Sequence, residues 1–206
     1  MTAADGFTLS LDGSWWPLGD GSDPVESVID VLIENLAPNL APAEERGLRA
    51  SLAVHAEWAR SLAQGQRRSF ALVRQPSSAR ADALLSWRFG EAPEGAYETL
   101  LASARGQEST ETVELVNPSV TEMRVPLGRA IVIHDIAYSR TAGVQRPARE
   151  RCIVAVFPDG SDALLELMIS TIDLSLFDDL PDYLLRLAAG EELGVPGYRE
   201  SVGGGS

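Results

Sequence analysis

The chain has 206 residues, enough for one domain with a core of ordinary size. Hydrophobic residues make up 45% and charged residues 23%, a composition typical of globular proteins and unlike that of disordered chains. The formal net charge of −13 argues against a general binder of nucleic acid or anionic membranes, because phosphates would be repelled. All basic side chains are arginine, which excludes sites that need a lysine.

Local patterns predict a helical region in the first third of the chain. Alternation over Phe7 to Leu11 predicts a half-buried strand, and a turn-rich stretch from Asp12 to Ser22 follows it. Asp23 and Pro24 have the spacing of a helix start, and apolar residues then recur at helical spacing as far as Leu36. A second, alanine-rich helix is predicted from about Ala43 to Gln64, and Gly65 ends it.

The remainder of the chain reads mainly as short strands. Strands are predicted at Phe70 to Arg74, Ala83 to Phe89, Glu111 to Val116, Val120 to Val125, Ala130 to Tyr138, Arg151 to Phe157 and Ala163 to Ile169. A short helix is expected over Glu94 to Ala104. A C-terminal helix is expected from about Ser175 to Ala189, with Pro181 kinking or restarting it.

This order of elements predicts an α+β fold. Consecutive strands joined by short turns pair antiparallel, because parallel pairs need long crossovers. We therefore expect an antiparallel β-sheet meander covered by helices, with two N-terminal helices, a middle helix and one C-terminal helix. Residues 1–193 are expected to form a single domain. Residues 194–206, which end in Gly203-Gly204-Gly205-Ser206, are expected to form a flexible tail.

Three segments resemble a known family in pattern and order. They are Ser14-Trp15-Trp16-Pro17-Leu18, the alanine-rich helix that ends before Gly65, and Leu165 to Thr171 followed by Asp173-Leu174 and the helix Phe177 to Leu187. Together they resemble the PsbP-like α/β sandwich and a set of uncharacterised actinobacterial proteins, over roughly residues 7 to 190. The resemblance implies a non-enzymatic binding or accessory module, some of whose relatives sit near secretion systems.

The residues that could carry catalysis do not form a recognisable motif. His55 lies on the inner stripe of the second helix, where a packed histidine is more common than a catalytic one. His134 and Asp135 are neighbours in a strand and so point to opposite faces. Cys152, the single cysteine, has Ile153 and Val154 beside it, which favours a buried, inert thiol. We predict no catalytic residue, no metal ligand and no cofactor.

The arginines are concentrated in one part of the chain. Residues 124–151 contain six arginines and two acidic residues, whereas the other parts of the chain have a negative balance. Four of these arginines flank the long loop Ser139 to Glu150, and they are Arg140, Arg146, Arg149 and Arg151. Long loops on a rigid sheet are common binding sites, and arginine recognises carboxylates through its two-pronged guanidinium. A solvated loop that pairs with the acidic helices of the same molecule is the alternative.

Trp15 and Trp16 are adjacent in the turn-rich segment. Neighbouring strand residues face opposite sides, so we expect one ring in the core and the other at the surface. Tryptophan is enriched in the energetic centres of protein interfaces. The alternative is that one ring covers the sheet and the other covers a helix end.

Together these features predict a cytoplasmic protein-interaction or accessory module, with a secretion-associated adaptor or chaperone as one form. Its partner would be a protein with an acidic surface, docked on Arg140, Arg146, Arg149, Arg151, Trp15 and Trp16. No nucleic acid or membrane span is expected, and homo-oligomer formation is left open. Two alternatives remain, a small-ligand-binding protein and a hydrolase or isomerase that uses His134 or His55 in a pocket between sheet and helices.

Overall fold

A computed structural model of the chain describes residues 9–20, 22–36, 38–62, 67–139, 148–191 and 193. The helices are α1 (Val25–Leu36), α2 (Pro42–Leu62), α3 (Ala96–Arg105) and α4 (Leu180–Ala188). The strands are β1 (Trp15–Gly19), β2 (Arg68–Leu72), β3 (Ala83–Glu91), β4 (Val113–Val125), β5 (Gly128–Ser139), β6 (Arg149–Pro158) and β7 (Ala163–Thr171). None of the helices in these ranges is long and apolar enough to cross a membrane.

The strands of the described residues form one antiparallel sheet, in the order β1-β2-β3-β7-β6-β5-β4. β3 pairs with β7 along its whole length, from Ala83 opposite Thr171 to Glu91 opposite Ala163. Hairpins join β4 to β5 and β6 to β7, and β1 and β4 are the edge strands. The predicted α+β fold is confirmed.

Helices pack on both faces of the sheet. Leu84 and Leu85 are consecutive in β3 and fully buried on opposite faces. Leu84 belongs to a core with Leu32 of α1 and Leu48 of α2, whereas Leu85 belongs to a core with the buried leucines of α4, which are Leu180, Leu184 and Leu187. α3 packs on Ile131 and Ile133 of β5, which the strand register places on the face that α1 and α2 cover.

Several element boundaries differ from the sequence-based ones. Residues 9–11 belong to no strand, although Leu9 and Leu11 still pack against the core, and residues 7 and 8 lie outside the described residues. The segment predicted as turn-rich contains β1, because Trp15 pairs with Leu72. β1 forms because pairing with a distant strand overrides the local turn signal, whereas residues 9–11 have no strand partner.

The two predicted strands between Glu111 and Val125 are one strand, β4. The register shifts between Val116 and Ser119, where Asn117 has a φ of +49°. A bulge therefore replaces the expected break, and pairing with β5 continues on both sides of it.

α4 begins at Leu180, five residues later than predicted. The Asp179 carboxylate accepts a hydrogen bond from the Asp182 N–H at 2.9 Å, and Pro181 occupies the first turn. Proline fits there because no partner for its missing N–H is required. Pro181 therefore starts this helix and does not kink it.

The two adjacent tryptophans differ in burial, as predicted. Trp15 is 5% exposed and belongs to the α4-side core, whereas Trp16 is half-buried and packs against the α1 and α2 side. The alternation of β1 side chains sends one ring to each face of the sheet.

Trp15→Ala should therefore lower the free energy of unfolding by about 3–5 kcal/mol, through lost burial and the cavity that remains. Trp16→Ala should cost clearly less, because part of that ring is already in contact with solvent. Urea denaturation of both variants measures the difference. Equal losses would contradict the assignment of Trp15 alone to the central core.

Candidate docking site

Two of the four arginines predicted to bind a partner, Arg149 and Arg151, are among the described residues. Arg140 and Arg146 lie outside the described residues. Arg149 has its guanidinium carbon 4.7 Å from the centre of the Trp58 ring, and its Nη1 donates to the Ser170 hydroxyl at 3.3 Å. Arg151 is directed at Asp135. The two described arginines thus make contacts within the protein.

Arg151 and Asp135 form a partly buried ion pair across β5 and β6. The two residues are directly opposite in the strand register, and the Arg151 Nη2 lies 2.5 Å from Asp135 Oδ2. Asp135 is 1% exposed, and within the described residues its Oδ1 has no hydrogen-bond partner. Arg151 therefore neutralises a carboxylate that has almost no access to solvent.

A second charged cluster lies between α2 and α3 on the same sheet face. Glu166 of β7 accepts hydrogen bonds from Arg67 through Oε1 and from the Arg88 Nη2 through Oε2 at 2.8 Å. Burial raises the pKa of Glu166, but the hydrogen bond from Arg67 and the charges of Arg67 and Arg88 outweigh it. The net pKa is lowered. Beside them, the Arg67 Nη1 donates to the buried Ser86 hydroxyl.

The histidines occupy different environments. His55 is buried in α2 with Nδ1 2.9 Å from the Ser51 carbonyl oxygen, and burial, followed by the charge of Arg149, lowers its pKa. A neutral ring can donate from Nδ1 to that carbonyl. His55 thus has the structural environment expected for a packed histidine.

His134 is brought next to a carboxylate that the sequence did not point to. Its Nε2 lies 2.9 Å from Glu150 Oε1, whereas the adjacent Asp135 pairs with Arg151 on the other face. Cys152 lies opposite His134 in the register and is fully buried. Burial, followed by the charge of Glu150, raises the pKa of its thiol, so Cys152 is protonated and inert. The thiol of Cys152 therefore cannot serve the His134–Glu150 pair as a nucleophile.

Trp16 lines an apolar groove between β1 and α1, which we call the β1–α1 groove. It has a volume of about 450 Å³, and its apolar walls are formed by Trp16, Pro17, Val28, Val31 and Leu32. Asp23, Ser27 and Asn35 add polar atoms along it. Val31 is 58% exposed, although the nearby α1 residues Ile29, Leu32 and Ile33 are buried. The groove thus offers apolar surface to an outside molecule.

Among the residues that the structure describes, Trp16 and Arg151 do not belong to one continuous surface. Trp16 lies in β1 and Arg151 in β6, with β2, β3 and β7 between them. At about 4.8 Å per strand, roughly 19 Å separates them across the sheet. Among the predicted residues that the structure describes, Trp16 lies in an open apolar depression.

A wider depression of about 1180 Å³ lies at the start of α3. Here the Arg129 guanidinium carbon is 3.5 Å from the centre of the Tyr97 ring, and the Tyr97 hydroxyl donates to Glu122 at 2.8 Å. Tyr97 also packs edge-on against Phe157. The aromatic wall is therefore already engaged by groups of the protein itself.

No family model matches the sequence, and no curated protein matches it either. The resemblance to PsbP-like sandwiches consequently remains a prediction. The assignment of a function rests on the geometry of the site.

Sequence reasoning found Trp16 but missed the other walls of the groove. The residues of α1 that recur at helical spacing include Val28 and Leu32 but not Val31, which lies toward solvent. The available signal was that Val31 and Ile33 extend the apolar residues of α1 beyond one face. Apolar residues outside the core-facing stripe of a helix indicate a second surface that can bind another molecule.

Loss of the Arg151 side chain should be strongly destabilising. Arg151→Met leaves the buried Asp135 carboxylate unpaired, which should cost about 3–5 kcal/mol in urea denaturation. The double variant Arg151→Met/Asp135→Leu should recover most of that loss, because no buried charge is left. A loss below about 0.5 kcal/mol for the single variant would instead indicate an ordinary surface arginine.

The Glu166 cluster should make stability depend on acidic pH. Because the pKa of Glu166 is lower in the folded protein than in the unfolded chain, its contribution is present above about pH 4.3 and is lost as the pH falls further. Urea denaturation between about pH 7 and pH 3 should show a shallower decrease for Glu166→Gln than for the wild type. Parallel curves would show that Glu166 is not stabilised as an anion.

Proposed function

We propose that this chain is a non-catalytic protein-interaction module that docks an apolar segment of a protein partner in the β1–α1 groove. The observation that carries the proposal is the exposed apolar surface of Val31 in a groove floored by Trp16. Tryptophan at the centre of a contact, surrounded by aliphatic residues, is a common arrangement of an interface hot spot.

The shape of the groove favours a macromolecule over a small ligand. Its volume lies within the range of small-molecule pockets, but such pockets enclose most of the ligand surface. Val31 and Asn35 are both exposed along the groove, so the groove is open along one side. A small apolar ligand would keep much of its surface in water, whereas a partner protein would cover the open side.

The two described arginines of the predicted docking surface already make contacts within the protein. The contacts of Arg149 and Arg151 support a structural role for both, and docking of an acidic surface through Arg140 and Arg146 stays a prediction. Membership of a PsbP-like accessory family and an adaptor or chaperone role in secretion also stay predictions. The cytoplasmic location is kept as part of the proposal, with the free, buried thiol of Cys152 as support.

The enzyme alternative uses His134 or His55, and the packed environment of His55 leaves His134 as its candidate. The Glu150 contact gives His134 the carboxylate partner that such a site needs, but the inert state of Cys152 gives no support for covalent catalysis. For this reason the docking function is the one we argue.

The test uses two matched valines. Val31 is 58% exposed in the groove, and Val54 is 59% exposed on α2 and does not line it. Peptides selected from a displayed random library on the wild-type protein should bind Val31→Gln at least about tenfold more weakly, because a buried aliphatic contact is lost. Val54→Gln should bind them as the wild type does. Titration by fluorescence anisotropy gives the dissociation constants.

Both variants should retain the wild-type melting temperature, since both valines are exposed. Selected peptides that bind Val31→Gln and the wild type equally would place docking elsewhere and overturn the proposal. A selection that enriches no peptide would overturn it as well.

A further inference from the structure

The edge strand of the groove is poorly suited to strand addition. β1 contains Pro17, which has no N–H to donate, and the pairing with β2 shifts register between Pro17 and Gly19. Proline and bulges are common means by which edge strands avoid pairing with another chain. Recognition in this groove must therefore come mainly from side chains and not from backbone hydrogen bonds.

The other wall has the form of a helix-packing surface. Val28, Val31 and Asn35 line the groove with accessible surface and follow the spacing i, i+3 and i+7 on α1. Leu32, at i+4, lies at the base of the groove and is 4% exposed. Rows of this spacing form the ridges that interdigitate when two helices pack. From Ser27 to Asn35 the lining covers about 12 Å of helix, which corresponds to roughly two turns.

The charges around the groove are mainly acidic. Asp23 lines it, Glu34 is exposed near its other end, and neither takes part in an ion pair within the described residues. Asp20 follows β1, and hydrogen bonds from Ser22 lower the pKa of its carboxyl, so it remains ionised. Two arginines lie nearby: Arg60 donates to the backbone carbonyl of Asp23, and the charge of Arg68 contributes to the lowered pKa of Asp20. The three carboxylates outnumber them.

The net charge of the whole molecule also favours a basic partner. The chain has a net charge of −13, which attracts a basic partner over long distances and repels an acidic one. A second copy of this chain would bring the same charge and meet the same repulsion. A basic partner is therefore favoured over self-association at this surface.

We propose that the occupant of the β1–α1 groove is a basic amphipathic helix of another protein, which inserts its apolar face between Trp16 and Val31. The inference rests on the proposed docking function and adds the secondary structure and charge of the partner. Leucine-sized residues at i, i+3, i+4 and i+7 would contact the ridge of α1. Arginine or lysine beside that stripe would lie near Asp23 and Glu34.

Three synthetic helices of about fourteen residues test the partner class. The first has leucines at i, i+3, i+4 and i+7 with arginines elsewhere. The second replaces the arginines by glutamates, and the third keeps the arginines and replaces the leucines by serines. The first should bind the full chain at least about tenfold more tightly than either of the others, in fluorescence anisotropy at about 50 mM salt.

Variants of the protein locate the contact. Val31→Gln should weaken binding of the first helix at least about tenfold, and Val54→Gln should leave it unchanged. Asp23→Asn and Glu34→Gln should each weaken it about two- to fivefold, as expected for exposed charges. The matched control Glu108→Gln/Glu111→Gln, which changes exposed acidic residues outside the groove, should have no effect.

The possible outcomes separate the two proposals. If the acidic helix binds as well as the basic one and Val31→Gln weakens both, docking stands and the basic partner class is overturned. If the serine helix binds as well as the leucine helix, the attraction is only electrostatic and the inference fails. If library-selected peptides depend on Val31 but no helix binds, the helical partner is overturned and the docking function is retained.

Discussion

The fold depends on burying both faces of one antiparallel sheet. β3 and β7 lie at its centre and pair over nine residues, and their apolar side chains alternate between the two faces. Leu84 and Leu85 show the consequence, since each is fully buried under a different set of helices. α1, α2 and α3 share one face, and α4 covers the other. Without helices on both faces, these strands would expose a continuous apolar surface to water.

Charged groups fill the part of the sheet that lies between α2 and α3. The ion pairs of Glu166 with Arg67 and Arg88, and of Asp135 with Arg151, bring opposite charges together where solvent access is low. Such pairs contribute little net stability over apolar packing, but the loss of an arginine leaves a carboxylate with little access to water. Arg151, in the segment 124–151 where arginines are concentrated, therefore has a structural role in pairing with Asp135.

The β1–α1 groove shows the opposite arrangement to these ion pairs, because its apolar groups are accessible to water. Trp16 is directed away from the core that holds Trp15, and Val31 lies outside the contact between α1 and the sheet. Pro17 removes a backbone donor from the same edge. An apolar groove, an edge unsuited to strand pairing and acidic residues nearby together favour docking of a basic helix.

The sequence by itself determined the α+β class, the antiparallel pairing, most helices and the different burial of Trp15 and Trp16, because these follow from local periodicity and short connections. It could not determine that β1 joins the sheet, or that β4 continues through a bulge, because both depend on pairing with distant residues. For the candidate site, the sequence was sufficient to single out Trp16 as a candidate binding residue. The pairing of Arg151 with Asp135 and the groove beside Val31 were decided by the tertiary structure, since strand register alone sets which side chains meet.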